Sequence, residues 1–413
     1  MKKVLFIGMV WPESNSTAAG GRMISLLKLF LSEGFSVHFA CAAALSDRSD
    51  DLETLGCSSH DITLNSDGFN AFIQGINPEV VVYDRFIMEE QYGWRVADAC
   101  PNACRVLDTE DLHFLRDARA HSVKKYGNLS EVNLYTKTAK REIASILRCD
   151  LSLIISEAES ELLQDTFHIP RGILVYHPIT FDEITESDSA KFPAFKQRSG
   201  FMTIGNFKHA PNLDAVKYTR DYVWPEVKKL MPEAEMNVYG AYLDDNDQSW
   251  AKSPDGFHIH GAATSADEAF RAARVCLAPL RFGAGLKGKL LRAALNGTPS
   301  VTTRIGAEGI AAELEWPGAM VESPELLAKK AVDLYTSESL WNSAVKTGIQ
   351  LVNTRFSRVK HEQVLMHSLR FKLAHLEEER KKYFISSILQ FHTLRSTEFM
   401  SRWIAEKNRD KKN

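Results

Sequence analysis

Cysteine is scarce in this 413-residue chain, and its six copies are scattered along it. Their spacing matches neither a dense disulfide framework nor a four-ligand zinc site, so a reducing cytoplasm is the simplest expected compartment. Long apolar runs are also missing, because no segment approaches the roughly 18 to 20 residues that span a bilayer. The short run from Val4 to Val10 lacks a small-residue cleavage site and fits a buried strand better than a signal peptide.

The chain also has no large excess of positive or negative charge. It contains 50 Lys and Arg residues and 53 Asp and Glu residues, which gives a net charge of −3. This balance excludes a general basic field, so we expect no nucleic-acid partner. The exception is residues 370–413, where eleven basic residues accompany six acidic ones. Two interpretations stay open: a solvated helix face with a basic tail, or a contact with anionic lipid or RNA, which includes peripheral attachment to the inner face of a membrane.

Short apolar runs alternate with stretches that have helical spacing of apolar residues over most of the chain. Strands that are apolar throughout and separated by helices indicate parallel sheets covered on both faces. The predicted fold class is therefore α/β, with two doubly wound, Rossmann-like domains joined by a polar linker. The predicted organisation is domains at 1–180 and 200–356, a linker at 181–199 and a helical extension of two long helices at 357–413.

A glycine-rich loop in the second domain carries the strongest chemical signal. It runs from Pro279 to Leu290, follows a predicted strand and ends where a helix begins. Glycines let backbone N–H groups approach an anion, a helix start adds partial positive charge, and Arg281, Lys287 and Lys289 add cations. The pattern indicates a diphosphate site, with a glycine-rich turn bearing solvated lysines as the alternative. The loop has neither the Gly-Lys-Ser/Thr ending of a P-loop nor the position of a dinucleotide fingerprint.

At these residues the sequence resembles the retaining nucleotide-sugar glycosyltransferases of family 4, and the resemblance runs through most of the chain. It rests on Gly283–Leu291, Ala293–Val301, Gly306–Gly309 and, at the turn that opens the second domain, Asn206 with His209–Ala215. The resemblance implies the GT-B fold, in which two Rossmann-like domains face a cleft and long C-terminal helices pack back toward the first domain.

The same resemblance implies a reaction. A sugar, expected to be a hexose, would move from a nucleoside-diphosphate donor to an acceptor hydroxyl with retention of configuration. No metal or other cofactor is implied, because fixed cations would serve the diphosphate. The sequence does not identify the acceptor, which could be a glycan, a glycolipid or a small molecule.

Individual residues acquire roles through the resemblance. Lys289 and Arg281, with Lys287, would hold the diphosphate and stabilise the negative charge that grows on the leaving β-phosphate. Glu308 and Gly309 would lie near the sugar or the nucleotide. The other donor-side residues that the resemblance implies are Asn206, Gly283 and Gly285.

Two positions depart from the family pattern. The family commonly has a pair of glutamates where this sequence has Ala284 and Arg292. Because the second glutamate reaches the nucleotide ribose, Arg292 leaves open a different nucleotide or a weakened enzyme. Together with the basic C-terminal extension, it also leaves open a catalytically degenerate binding protein. A GT-B nucleotide-sugar epimerase is a further alternative, because GT-B folds also host that chemistry. An aspartate-rich tract at Asp244–Asp247 reads as a surface loop, so we expect no metal site there.

The first domain is expected to bind the acceptor. After its first strand, a loop from Pro12 contains Gly20 and Gly21, just before a helix predicted over Arg22–Glu33. In the family such a loop faces the donor phosphates and the acceptor. A tight turn into the helix is the alternative interpretation of the two glycines.

Two further loops of the first domain follow predicted strands. One contains Asp111 and His113, which the resemblance makes candidates for acceptor orientation or proton transfer. The alternatives are helix capping by the acid and a structural role for the histidine. The other loop contains Asp84, which could orient an acceptor hydroxyl or only pair with Arg85.

Overall fold

A computed structural model describes residues 2–242 and 254–410, without the side chains of 392–396 and 408–410. The described chain divides into two compact units. Unit 1 holds the described residues of Met1–Phe114, Tyr135–His177 and Lys360–Asn413, and unit 2 holds those of Leu115–Leu134 and Pro178–Val359. The aspartate-rich tract at Asp244–Asp247 lies outside the described residues.

Unit 1 contains a seven-stranded sheet whose strand pairings are all parallel. Its strands are β1 (Lys3–Gly8), β2 (Ser36–Cys41), β3 (Ser58–Asp61), β4 (Val80–Asp84), β5 (Cys104–Asp108), β6 (Leu151–Ile154) and β7 (Leu174–Tyr176). Their order across the sheet is β3-β2-β1-β4-β5-β6-β7. Because β4 and β5 are buried at every position, their apolar runs reflect helices on both faces of the sheet.

Helices lie on this sheet and contribute apolar side chains to its core. They are α1 (Ala18–Ser32), α2 (Gly68–Ile76), α3 (Arg85–Ala99), α5 (Lys137–Arg148) and α6 (Glu157–Phe167), and α4 (His113–Tyr126) begins in the same unit. The core includes Phe6 and Phe39 from the strands and Leu27 and Phe30 from α1. From Leu115 onward, α4 is grouped with unit 2.

Helix α1 begins four residues earlier than predicted, and Gly20 and Gly21 lie in its first turn. Thr17 ends the loop because its hydroxyl accepts a hydrogen bond from the Gly20 N–H at 2.9 Å, as an N-cap does. A Cβ at Gly20 would lie 2.5 Å from the carbonyl carbon of Glu13, so glycine lets the loop pack on the helix. The predicted placement of both glycines in a loop before the helix is therefore wrong.

Unit 2 contains a second all-parallel sheet, with six strands in the order β10-β9-β8-β11-β12-β13. The strands are β8 (Phe201–Asn206), β9 (Met236–Ala241), β10 (Phe257–His260), β11 (Val275–Ala278), β12 (Ser300–Thr302) and β13 (Gly318–Met320). The helices are α7 (Glu186–Ser189), α8 (Ala210–Tyr218), α9 (Trp224–Leu230), α10 (Ala266–Ala272), α11 (Gly288–Leu295), α12 (Arg304–Ala307), α13 (Pro324–Thr336) and α14 (Glu338–Arg355). A π-helical turn at Thr219–Val223 joins α8 to α9.

Three helices, where the sequence predicts two, end the described chain: α15 (Arg358–Ala374), α16 (Leu376–Lys382) and α17 (Phe384–Asp410). Leu365 and Leu369 of α15 are buried in the core of unit 1. Arg380 of α16 donates to Asp150 Oδ1 at 2.8 Å and to the carbonyl oxygen of Ala103 at 2.7 Å. These contacts fasten the C-terminal helices to unit 1. None of the described helices has the combined length and apolarity needed to cross a bilayer.

Candidate functional site

The glycine-rich loop lies at the carboxyl end of a central strand of unit 2. It joins β11 to α11, and β11 lies between β8 and β12 in the sheet. Doubly wound sheets bind ligands at this edge. Gly283 and Gly285 have φ angles of +152° and +61°, which residues with a side chain rarely adopt. The neighbouring side chains of Leu280, Phe282 and Leu286 are buried, so the loop has a fixed shape.

Two cations of this loop are held by protein partners. Arg281 donates from Nε to Asp214 Oδ2 at 2.9 Å, and its Nη2 pairs with the other oxygen of that carboxylate. Lys287 is 6% exposed and donates from Nζ to the carbonyl oxygen of Gly285 at 3.0 Å. The alternative of a turn with solvated lysines therefore does not describe Lys287.

The third cation, Lys289, is positioned by an asparagine from α8. Its Nζ donates to Asn212 Oδ1 at 2.7 Å, and Asn212 Nδ2 donates to the carbonyl oxygen of Asn206 at 3.1 Å. Glycine at 205 permits this approach, because a Cβ there would lie 2.8 Å from Asn212 Cγ. Burial lowers the pKa of Lys289 to about 8. Its amine is therefore mostly protonated at neutral pH and loses its charge above about pH 8.

Glu308 is bound by an arginine that is distant in sequence. It follows α12, and Gly309 after it has a φ angle of +75°. Arg119 donates to Glu308 Oε2 at 2.6 Å and to Oε1 at 2.7 Å, and also to the carbonyl oxygen of Gly283 at 2.9 Å. Lys287 Nζ lies 3.9 Å from Glu308 Oε2. Burial alone would raise the pKa of Glu308, but its hydrogen bonds with Arg119 and the charges of Arg119 and Lys287 lower it.

Unit 2 thus brings most of the donor-side candidates into one connected cluster. Arg119 joins the glycine-rich loop to the segment after α12, and Asn212 joins Lys289 to the end of β8. The sequence analysis missed Arg119 because nothing in its local sequence distinguishes it from a solvent-exposed helix residue. Asn212 was part of the family-like turn, but its contact with Lys289 could not be predicted.

Both residues that replace the family glutamates have structural explanations. Ala284 is 8% exposed within the packed loop. Arg292 lies on α11, and its Nε donates to Asp267 Oδ1 of α10 at 2.7 Å. Asn296, one turn further along, donates to the same oxygen at 2.8 Å. Arg292 therefore ties α11 to α10 through an ion pair.

In unit 1, Asp111 and His113 lie at the start of α4. His113 Nδ1 is 3.0 Å from the carbonyl oxygen of Asp111 and 3.4 Å from its Oδ1. Glu142 of α5 accepts the backbone N–H groups of His113 and Phe114 at 3.1 and 2.9 Å. Capping of α4 is therefore done by Glu142, and the Asp111 carboxylate lies beside the imidazole.

Buried ion pairs lie at the carboxyl ends of β4 and β5. Asp108 is fully buried and accepts from Arg22 Nε at 3.0 Å and from its Nη2 at 2.8 Å. Asp84 accepts from the Met9 N–H at 3.0 Å and from Arg85 Nη1 at 3.1 Å. Asp84 therefore pairs with Arg85, as the second of its two predicted roles requires. Arg85 has a φ angle of +69°, a strained conformation for a residue with a side chain.

Glu110 is a second strained residue at this edge of the sheet, and the sequence analysis did not select it. Its φ angle is +62°, and its Oε1 is buried with no hydrogen-bond partner among the described residues. Burial, reinforced by the negative charge of Asp108, raises its pKa to about 8. Strain, an unpaired buried oxygen and a displaced pKa together mark a candidate functional residue.

The high pKa of Glu110 predicts a pH-dependent effect on stability. The folded protein holds this proton more tightly than the unfolded chain, so the unaltered protein should lose stability as the pH rises from about 4.5 to about 8. Glu110→Gln removes the titration. We expect its melting temperature to exceed that of the unaltered protein by a margin that grows over this pH window, with exposed Glu161→Gln as the control. If the difference in melting temperature between Glu110→Gln and the unaltered protein is the same at pH 4 and pH 9, the raised pKa of Glu110 is contradicted.

Metal-ligating and redox clusters do not stand out in the described part of the chain. No group of three or more His, Cys, Asp or Glu side chains there is arranged to hold a metal ion. All six cysteines are buried and unpaired. We therefore derive no metal or disulfide chemistry from these residues.

Comparison with known proteins gives one family match. Residues 198–337 match the family model described as Glycosyl transferases group 1. This segment contains the glycine-rich loop, Asn206 and Glu308. No curated protein sequence matches the chain significantly.

Solved structures resemble nearly the whole chain. Sucrose-phosphate synthase from Thermosynechococcus elongatus has a TM-score of 0.68 at 14% identity, covering 91% of this chain and 100% of its own. A TarM variant from S. aureus, in complex with fondaparinux, alpha-GlcNAc-glycerol and UDP, has a TM-score of 0.67 at 8% identity, covering 89% and 99%. HepE from Anabaena, in complex with UDP and glucose, has a TM-score of 0.62 at 12% identity, covering 90% and 100%.

These likenesses, at such low identity, bear on the fold. They and the two parallel sheets confirm the predicted α/β fold class and its GT-B type. Together with the family match, they support a glycosyltransferase.

Proposed function

We propose that this protein transfers a hexose from a nucleoside-diphosphate sugar to an acceptor hydroxyl, with retention and without a metal, as family 4 glycosyltransferases do. One observation carries the proposal: Arg281, Lys287 and Lys289, each held by a protein partner, belong to a glycine-rich loop and helix start at the carboxyl edge of the unit 2 sheet, inside the family-matched segment. UDP complexes among the structural neighbours support a nucleoside-diphosphate donor.

The donor diphosphate would bind against the loop. Lys289, fixed by Asn212, would contact the phosphate oxygens. Lys287 would give up its hydrogen bond to the Gly285 carbonyl oxygen and contact the phosphates as well. Breaking the bond between sugar and diphosphate builds negative charge on the β-phosphate, and these positioned cations stabilise that charge as it grows. Glu308, held by Arg119, would accept hydrogen bonds from donor hydroxyls.

The acceptor would bind at the carboxyl edge of the unit 1 sheet. His113 and Asp111 would orient the attacking hydroxyl, and Glu110, protonated at neutral pH, would donate a hydrogen bond to the acceptor. We place the reaction in the cytoplasm because all six thiols are buried and unpaired.

Incubation with labelled UDP-, GDP- and ADP-sugars tests this proposal. We expect slow hydrolysis of one donor, with the released sugar first appearing as the anomer present in the donor when followed by NMR. The opposite anomer would overturn retention. Formation of an epimer would identify an epimerase instead, and a protein that binds a donor without turnover would be a degenerate binding protein. Chelation by EDTA should leave the rate unchanged.

The lowered pKa of Lys289 predicts how nucleotide affinity depends on pH. An anion binds the protonated amine, so the affinity for UDP should fall about tenfold for each pH unit above 8. Below pH 8 the titration of Lys289 should not change the affinity. Isothermal titration at pH 7.5 and pH 9.5 measures the fall. Lys289→Arg keeps its charge throughout this range and is the matched control. An equal fall in that variant would show that another group titrates.

A further inference from the structure

Helix α17 turns polar side chains toward the rest of unit 1. Gln390 accepts a hydrogen bond from Arg105 Nη2 at 3.0 Å, and its Nε2 donates to the carbonyl oxygen of Arg148 at 2.8 Å. Ser401 is 2% exposed and accepts from Arg95 Nη2 at 3.2 Å. These hydrogen bonds tie both the first and the second half of the helix to unit 1. The rotation of α17 about its axis is therefore fixed.

The opposite side of α17 is apolar and exposed. Phe384 is 70% exposed, Phe391 60% and Trp403 59%. At about 100° of rotation per residue, the exposed apolar side chains share roughly one half of the helix circumference. We call this set the outer face of α17; its members are Phe384, Ile385, Ile388, Phe391, Phe399, Met400 and Trp403.

This arrangement reverses the usual pattern for a surface helix. A surface helix normally buries its apolar stripe and exposes its polar one. Here serine and glutamine side chains make the inward hydrogen bonds, while four large aromatic rings are exposed on the outer face. Exposed apolar side chains gathered on one side of a helix mark an interaction site.

Positive charge accompanies the outer face. Lys381 and Lys382, just before the helix, have side chains 73% and 63% exposed, and Arg402 is 59% exposed. Lys407 Nζ lies 5.0 Å from the ring centre of Trp403. Glu377, Glu379 and Glu398 pair with Lys381, Lys382 and Arg402 at 2.6, 3.6 and 2.6 Å and offset part of this charge. Over residues 370–413 eleven basic residues still outnumber six acidic ones.

We infer that the outer face of α17 docks on the surface of an anionic phospholipid bilayer. Aromatic and aliphatic side chains would enter the boundary between headgroups and acyl chains, and the lysines and arginine would contact the lipid phosphates. Tryptophan is suited to this depth because its ring is apolar and its N–H is polar. The helix would lie in the plane of the surface, consistent with its insufficient apolarity for crossing a bilayer.

Charge favours this partner over a second copy of the chain. Two copies that met through their outer faces would bring two segments of net positive charge together. An anionic surface instead attracts them, by about 1 kcal/mol for each basic residue near the headgroups. The inference does not depend on the sugar-transfer proposal, because vesicle binding is measured without any donor.

Vesicle co-sedimentation of the full chain tests the inference. We expect binding to vesicles of phosphatidylcholine mixed with phosphatidylglycerol, weakened by high salt, and little binding to phosphatidylcholine alone. The triple variant Phe391→Ser, Phe399→Ser, Trp403→Ser should bind at least about tenfold more weakly. A matched control places serine at three exposed apolar residues elsewhere, Leu45, Leu340 and Val359, and should bind as the unaltered protein does.

Several outcomes would overturn the inference. One is failure of the unaltered protein to bind either kind of vesicle. Another is equal binding to both kinds, which would remove the anionic surface as the partner. A third is a dimer in light scattering that the triple variant abolishes, since a second copy would then cover the outer face. Circular dichroism of each variant keeps a folding defect distinguishable from a docking defect.

A charge variant checks the electrostatic part separately. Lys381→Gln with Lys382→Gln leaves the outer face intact but removes two exposed cations. We expect about a tenfold or greater loss of affinity for the phosphatidylglycerol vesicles. Unchanged affinity would show that these lysines do not contact the lipid phosphates and would overturn their part in the inference.

Discussion

Lys289→Met is expected to lower the turnover of a nucleotide-sugar donor by about a hundredfold to a thousandfold, the range seen when one transition-state donor is removed. Lys289 Nζ is held at 2.7 Å from Asn212 Oδ1, so it would meet the leaving diphosphate without first having to be ordered. Methionine keeps the aliphatic stem and removes the charge. Donor hydrolysis at saturating substrate measures the loss.

The same variant should fold normally. Burial already lowers the pKa of Lys289 to about 8, so replacing the amine with a thioether removes a group that the folded protein accommodates at a cost. We expect a melting temperature at pH 7 equal to or above that of the unaltered protein. Lys330→Met, on the exposed side of α13, is the control and should keep full activity. Retention of full turnover by Lys289→Met would remove Lys289 from the catalytic machinery.

The apolar runs of the sequence predict buried strands such as β4 but do not predict β3 at the edge of the unit 1 sheet. A central parallel strand such as β4 is apolar at nearly every position, because helices cover both faces, and its run of valines is recognisable in the sequence. Strand β3 (Ser58–Asp61) reads Ser-Ser-His-Asp and has no fully buried residue. It pairs with β2 along the backbone, and His60 Nε2 lies 3.0 Å from His38 Nδ1 of β2, but its polar side chains give no strand pattern in the sequence.

The start of α1 and the breaks between the C-terminal helices depend on tertiary contacts that the sequence pattern does not predict. The paired glycines at 20 and 21 suggested a loop, but the Thr17 cap and close packing on the Glu13 backbone place them inside α1. The C-terminal region has helical spacing throughout, so its division at His375 and Tyr383 was not predicted. Arg380 provides a physical reason, since its hydrogen bonds to Asp150 and Ala103 fix α16 in its own direction.

The candidate site was predictable in its local motif and unpredictable in its partners. Glycines and cations at a strand-to-helix junction indicate a phosphate loop from sequence alone. Arg119 is 164 residues from Gly283 and 189 from Glu308, so only the folded chain brings them together. Glu110 was similarly hidden, because its importance comes from burial and from the backbone strain that follows β5.

Arg119→Ala is expected to raise the KM for the donor by about tenfold to a hundredfold, which corresponds to losing hydrogen bonds to a charged group. Arg119 is a positioning residue: its two nitrogens hold both oxygens of Glu308, and one of them also holds the Gly283 carbonyl. Without the guanidinium, the carboxylate would turn to Lys287 Nζ, already 3.9 Å away. That movement would draw Lys287 from Gly285 and misplace two donor contacts at once.

A double-mutant cycle separates positioning from general stabilisation. If Arg119 acts through Glu308, then Arg119→Ala and Glu308→Ala should each raise the donor KM, and the double variant should cost little more than either alone. Arg119→Lys keeps the charge but loses the two-pronged geometry, so it should fall between Arg119→Ala and the unaltered protein. Additive effects in the cycle would mean that the two side chains act independently. A melting temperature that falls with Arg119→Ala while the donor KM stays constant would instead show that the bidentate contact serves the folding of unit 2.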